Sequence, residues 1–300
     1  MGSSAVPLNL LPGPLLCERT SLRLGGRVLA EITADENKDL DGLPRLLEKL
    51  GAKPLVLGHG SNILARDGSL AVALLRPPKG RSPRVVLERE GMVRVRADAG
   101  LPLQRLLGRI RTWGLSGMEG LAGIPGSVGG AVAMNAGAYG SETGRVLARV
   151  LVYGPKMGTA WIGKDEVRLG YRFFAPKQEE EYFMVLAAEF DLKKDAPDRV
   201  KNRMAEAYGT KKKTQPLRAA SAGCVFKNPE SGPAAGKLLE DAGFKGRRLG
   251  GMAFSEIHAN FLVNLGDGKS AEAFELIDKA GERVASLFGQ KLQLEVRVCP

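Results

Sequence analysis

"GLAGIPGSVGGAVAMNAGAYG", residues 120–140, decides how this chain is read. It is long, rich in glycine and free of charged side chains, whereas exposed loops are normally polar. Glycine allows positive φ and a close approach of backbone to ligand, so successive N–H groups can line a pyrophosphate. A second segment of the same character, "LGHGSNILARDG" from Leu57, follows a strand-like run. Neither matches G-x-G-x-x-G opening a helix, nor the P-loop with its Gly-Lys-Ser/Thr, so the usual nucleotide signatures fail. One such segment alone reads as a tight turn. Two long ones with apolar filling weaken that reading.

Composition frames the rest. At about 150 residues per domain, 300 residues imply about two domains. An apolar fraction of 44% is ordinary for a chain that buries real cores. No run reaches the roughly 18 apolar residues of a membrane helix. The apolar start "VPLNLLPGPLL" has internal prolines and no preceding basic residue, so it reads as an extended lead-in and not a signal peptide. Three scattered cysteines give no disulfide framework, which fits a reducing cytoplasm, and two histidines without C-x-x-C give no metal site. The net charge of +11 is dispersed. Its densest run, "KKKTQ" from Lys211, lacks interleaved aromatics; a pocket for a phosphorylated small molecule explains the charge as well as nucleic acid does.

Gly and Pro divide the chain into three blocks. In the first, "NKDLDGLPRLLEKLG" spaces Leu40, Leu43, Leu46, Leu47 and Leu50 as a helix stopped by Gly51, and the strand "PLVLG" follows. The second holds the alternating strand "MVRVRAD", a helix through Leu103, Leu106, Leu107, Ile110 and Trp113, and the strands "RVLVY" and "FMVLAAEF". After a charged stretch, 193–213, the third has helices near 234–242 and 271–288, the latter burying Phe274, Ile277, Val284 and Leu287. It ends on "LQLEVRV", read as a strand with Leu292, Leu294, Val296 and Val298 inward. Strands and helices mix without a strict βαβα rhythm, which predicts an α+β fold.

The longer string "GLSGMEGLAGIPGSVGGAVAMNAGAYG" resembles the flavin-binding signature of the bacterial UDP-N-acetylenolpyruvoylglucosamine reductases. "TSLRLGG", "GHGSN", "GYR" (170–172), "SAGCVFKNP", "AGKLLEDAGFKG", "HANFLVN" and "LEVRV" follow that family's order, so the likeness runs from about Thr20 to Val298. It implies an FAD-binding module of the vanillyl-alcohol-oxidase type, with lobes over residues 17–78 and 79–200. A C-terminal α+β substrate domain would cover 201–300, its last strand returning to the first lobe. It implies NADPH as hydride donor, a UDP-sugar substrate, a monomer, and a place in peptidoglycan synthesis in the cytoplasm, with no nucleic acid or membrane partner. About 50 residues separate Arg172 from Cys224, too few for the tyrosine loop of the family's longer branch, so the chain resembles the shorter one.

By that resemblance Gly58, Gly60, Ser61, Asn62, Ile124, Pro125, Gly126, Ser127, Gly129 and Gly130 hold FAD without a covalent bond. His59 stands where the family has glycine. Tyr139 and Asn228 match substrate positions; Lys227 and His258 lie near the UDP or serve as structural hydrogen-bonding groups, and Lys213 is a candidate only as a neighbour of Thr214, where the family's lysine would stand. Arg172 and Glu295 polarise the substrate carboxylate, and Cys224, in a position more familiarly serine, supplies a proton. Alone, Arg172 reads as a solvated arginine, Glu295 as a charge on an edge strand and Cys224 as a small buried hydrophobe. Two other readings compete. A flavoprotein oxidase of the same superfamily would be reoxidised by oxygen, and a basic nucleic-acid-binding protein would be colourless.

Overall fold

The computed structural model describes residues 8–33 and 40–299. The chain forms two compact units. The first comprises the leading strand, Leu29–His59 and Ala71–Thr210; the second comprises Gly13–Val28, Gly60–Leu70 and Lys211 onward.

In the first unit the strand Met184–Lys194 lies in the middle of a sheet. Leu147–Gly154 and Met92–Asp98 flank it antiparallel, with Gly158–Gly163 and Arg84–Arg89 outside them. Its residues from Met184 to Phe190 are all buried, because both faces are covered. One face packs on the helix Leu103–Thr112, through Leu103, Leu106, Leu107 and Ile110, and on the short helix Val128–Ala133. The other meets a core built from the helix Leu43–Leu50 and the strands Arg27–Thr33 and Ser69–Arg76. Gly51 ends Leu43–Leu50 in the left-handed region, the stop that its sequence predicts. The predicted start of that helix, Asn37–Asp39, lies outside the described residues.

The second unit is a small antiparallel sheet, Ala220–Cys224, Phe261–Asn264, Met252–Phe254 and Arg248–Leu249 in spatial order, covered by the helices Ala235–Asp241 and Ser270–Phe288. Ser270–Phe288 buries Ala273, Leu276, Ile277, Ala280 and Val284, whereas Leu287 is exposed and Phe274 half-buried. The predicted stripe is therefore rotated by about one residue towards the small side chains, which let this helix sit close to the sheet. "LQLEVRV" is also corrected. Only Arg297–Cys299 is a strand, paired parallel with Ile63–Ala65, and Leu294 and Val298 are exposed. The charged stretch becomes the helix Pro197–Thr214.

A polar cluster surrounds the buried Glu119 in the first unit. Glu119, on the turn Glu119–Leu121, accepts hydrogen bonds from Ser116 Oγ (2.8 Å), Gly117 N (2.8 Å) and the Arg203 guanidinium (2.7 Å), which also reaches Asp195. Burial alone would push the Glu119 carboxyl up, but the Gly117 N–H and Arg203 outweigh it and hold the carboxyl below its usual range. A depressed carboxyl contributes stability that is present above its unfolded value and lost as pH falls through the folded one. Glu119→Gln should therefore unfold about 2 kcal/mol more easily at pH 7. The gap to wild type should be full above about pH 4.5 and shrink in more acid solution. Urea titrations at several pH values check this; a gap independent of pH would mean that the charge of Glu119 plays no part.

Candidate functional site

In the first unit Gly58, near the start of one glycine-rich segment, lies close against Ser127 of the other. A Cβ on Gly58 would stand 2.6 Å from Ser127 Oγ, and one on Gly129 would stand 2.7 Å from Ala99 Cβ. Ser127 caps the helix Val128–Ala133 by accepting from Gly130 N. Val128 N and Gly129 N donate to Leu101 O and Ala99 O, and Leu103 N donates to Gly126 O. Gln104, which the sequence reading passed over, fixes the Ile124–Pro125 bend: its Nε2 donates to Ile124 O at 2.7 Å and its Oε1 accepts from Gly123 N. These glycines leave a bare backbone surface with Ile124 and Gly130 only half-buried and Pro125 exposed, a form that suits a large flat cofactor with a pyrophosphate. His59 is exposed beside it.

Three turns in this unit hold non-glycine residues at positive φ: Asn135 (39°), Tyr139 (49°) and Arg172 (54°). Tyr139 and Gly140 form the two-residue turn between Gly137–Ala138 and Ser141–Glu142, which needs positive φ at both positions. Tyr139 is exposed there. Tyr171 and Arg172 turn the hairpin Val167–Gly170/Phe173–Pro176, with the Arg172 guanidinium over the Tyr171 ring at 5.0 Å. The second centre of such a turn favours Gly or Asn, so an arginine there is held under strain of order 1 kcal/mol. Strain of this kind points to a functional position.

In the second unit the structure brings Cys224, Glu295 and Asn62 into one neighbourhood. Ala220–Cys224 slips register against Phe261–Asn264 at Gly223, whose φ is 82°, and this bulge sets the Cys224 side chain. The next residue, Val225, accepts from Glu295 N at 2.8 Å and from Val296 N at 3.3 Å, and its own N–H donates to Asn260 O. Asn62 Nδ2 donates to Glu295 O, while Arg297 N donates to Asn62 O. Asn260, fully buried, pairs both ways with the backbone of Phe226 at 2.9 and 2.8 Å. Gly60 closes against Arg19 O, where a Cβ would come within 2.1 Å, and Ser61 is half-buried beside it.

The remaining candidates divide. Asn228 accepts from Ala235 N, and so caps the helix Ala235–Asp241 with its side chain, yet stays exposed. Lys227 is half-buried, with its N–H on Gln293 O. His258 accepts from Asn260 N on Nδ1, and burial lowers its pKa, so its ring is neutral and in part structural. Lys213 is exposed in the last turn of its helix. Lys211, two residues earlier, is 2% exposed, and burial pushes its pKa down to about 8. The sequence reading missed Lys211, although its spacing from the buried Val200 and Met204 places it on the apolar stripe of that helix. No cluster of His, Cys, Asp and Glu able to hold a metal exists among the described residues, and no helix among them is long and apolar enough to cross a membrane.

The family model "FAD binding domain" matches residues 29–155, and "UDP-N-acetylenolpyruvoylglucosamine reductase, C-terminal domain" matches residues 215–299. A UDP-N-acetylenolpyruvoylglucosamine reductase of Nitratidesulfovibrio vulgaris is 50% identical over 97% of this chain and 98% of its own length. One of Oleidesulfovibrio alaskensis is 48% identical over 97% and 98%. The crystal structure of such a reductase from Thermus caldophilus superposes with a TM-score of 0.77 at 32% identity, covering 98% of this chain and 99% of that one. The chain that carries this glycine-rich cradle, the Arg172 turn and the Val225–Glu295 backbone bond belongs to the UDP-N-acetylenolpyruvoylglucosamine reductase family.

Proposed function

We infer that this chain reduces UDP-N-acetylglucosamine enolpyruvate to UDP-N-acetylmuramate with NADPH, through FAD, in the synthesis of peptidoglycan precursors. The observation that carries this is a match at 50% identity along 97% of the chain. FAD, when bound, would supply the hydride relay between NADPH and the terminal methylene carbon of the enolpyruvyl ether. The protein handles everything else. Gly58, Gly60, Ser61, Asn62, Ile124, Pro125, Gly126, Ser127, Gly129 and Gly130 hold FAD through backbone and short side chains, without a covalent bond to His59.

Hydride arrival leaves negative charge on the α-carbon and the adjacent carboxylate. Arg172 meets that charge, and Glu295 helps to polarise the carboxylate as a hydrogen-bonding acid; a group preset where charge develops lowers the barrier more than one that binds the ground state. Cys224 Sγ–H then gives its proton to the α-carbon. A thiol is a far stronger acid than a serine hydroxyl and is still mostly protonated at neutral pH, so cysteine keeps the donor that serine would provide. Tyr139, Lys227, Asn228 and His258 line the UDP-sugar, with Lys213 or the buried Lys211 on its pyrophosphate. The segment between Arg172 and Cys224 is taken up by Phe173–Pro176, Met184–Lys194 and Pro197–Thr214, in keeping with the family's shorter branch. The enzyme works as a cytoplasmic monomer on small molecules, without nucleic acid or membrane.

Arg172→Ala should slow flavin reoxidation by the enolpyruvyl substrate by about 100-fold, and leave flavin reduction by NADPH nearly unchanged. Stopped-flow absorbance on each half-reaction measures this, and equal losses in both would assign Arg172 to structure or to nicotinamide binding. Cys224→Ser should keep most of the turnover. Cys224→Ala should still be reduced by NADPH yet turn over about 100-fold or more slowly, since a general acid is worth at least that much. Near-wild-type turnover of the alanine variant would show that the proton comes from elsewhere.

A further inference from the structure

Asn135 is 4% exposed, and its side-chain amide is spent on two backbone groups far apart in sequence. Nδ2 donates to Gly170 O at 2.9 Å, and Oδ1 accepts from Gly144 N at 2.8 Å. Both partners fix the amide orientation: a carbonyl must accept and an N–H must donate. Gly170 opens the two-residue turn that carries Arg172, and pairs across it with Phe173. Gly144 follows the hairpin that carries Tyr139 and is tied back by Thr143, whose N–H and Oγ1 both donate to Ala136 O at 2.9 Å. Asn135 itself has φ 39°, a conformation that Asn and Asp tolerate best among residues with a Cβ.

We propose that Asn135 is a positioning residue that sets Arg172 for the reduction step by clamping the Gly170–Phe173 turn to the Asn135–Gly144 loop. This rests on the role of Arg172 given above. The turn forces a cation-bearing residue into the left-handed region, and such a conformation persists only where the surroundings over-determine it. Among the described residues, the Asn135 amide is a buried, two-ended hydrogen bond that acts on this turn from outside the hairpin. Without it the strained turn can relax and carry the guanidinium away from the charge it should meet. A displacement of about 1 Å is enough to cost on the order of 100-fold in rate.

Two variants separate the clamp from the fold. Asn135→Asp keeps the shape, the tolerance of positive φ and the acceptor for Gly144 N, but loses the donor to Gly170 O. Asn135→Gly keeps the backbone conformation and removes the whole amide without burying a charge. Both should bind FAD and be reduced by NADPH at the wild-type rate, with reoxidation by the enolpyruvyl substrate slowed about 10- to 100-fold. In an Arg172→Ala background the same changes should add less than about twofold, because residues acting through one another are not additive. Hydrogen exchange in FAD-free protein should quicken over residues 167–176. Wild-type reoxidation in both variants, with Arg172→Ala impaired, would overturn the clamp and leave the role of Arg172 standing. Equal slowing of both half-reactions, full additivity with Arg172→Ala, or loss of FAD by both variants would make Asn135 a folding residue and overturn the proposal. An Arg172→Ala protein without a selective defect would remove the reading of Arg172, and this inference with it.

Discussion

Two backbone hydrogen bonds hang the glycine-rich loop from the buried central strand of the first unit's sheet. Ala99 N donates to Leu186 O at 2.8 Å, and Gly129 N donates to Ala99 O at 2.9 Å. Leu186 lies in the Met184–Lys194 strand, covered on both faces and therefore among the last parts of the first unit to open. The chain from Leu186 through Ala99 to Gly129 works only if Gly129 has no side chain, since a Cβ would collide with Ala99. The composition of the loop is thus set by how closely it must approach the sheet. Ser127 and Gln104 then hold the same loop at two further points.

Strain is concentrated where the chemistry is assigned. Of the four non-glycine residues with positive φ among the described residues, Asn135, Tyr139 and Arg172 lie in the first unit, in the segments proposed above to carry the reduction; Arg23 is the fourth. Each sits in a short turn whose ends are fixed by strand pairing or by a buried amide. The second unit uses a different device for the same end. There a glycine bulge and the Val225 carbonyl bring Cys224 and Glu295 together, although they are 71 positions apart in the chain (295 − 224). Backbone bonds do the positioning in both units.

Local signals carried much of the fold. The alternation of Val93, Val95 and Ala97, the leucine spacing before Gly51 and the Leu103–Ile110 stripe each appear as the element that they predict. "LQLEVRV" misled because alternation records which residues are apolar, not whether a partner strand exists. Around Glu295 the backbone bonds go to Val225 and Asn62, so the ladder is interrupted and Leu294 and Val298 stay exposed. Lys211 was hidden in a basic run whose phase appears only once the helix is known. Glu119 and Asn135 were in plain view as polar residues inside apolar glycine-rich text. Their partners, Arg203, Gly144 and Gly170, lie 84, 9 and 35 positions away, beyond the reach of a local reading.

The central claim is that electrons pass from NADPH to the enolpyruvyl ether through FAD held by this chain. An anaerobic titration of the purified protein, followed in the visible spectrum, tests it most directly. NADPH should bleach the flavin bands, and one equivalent of UDP-N-acetylglucosamine enolpyruvate should restore them with the formation of UDP-N-acetylmuramate. A colourless protein, or a bleached flavin that ignores the enolpyruvyl substrate and recovers only on admission of air, would contradict the account.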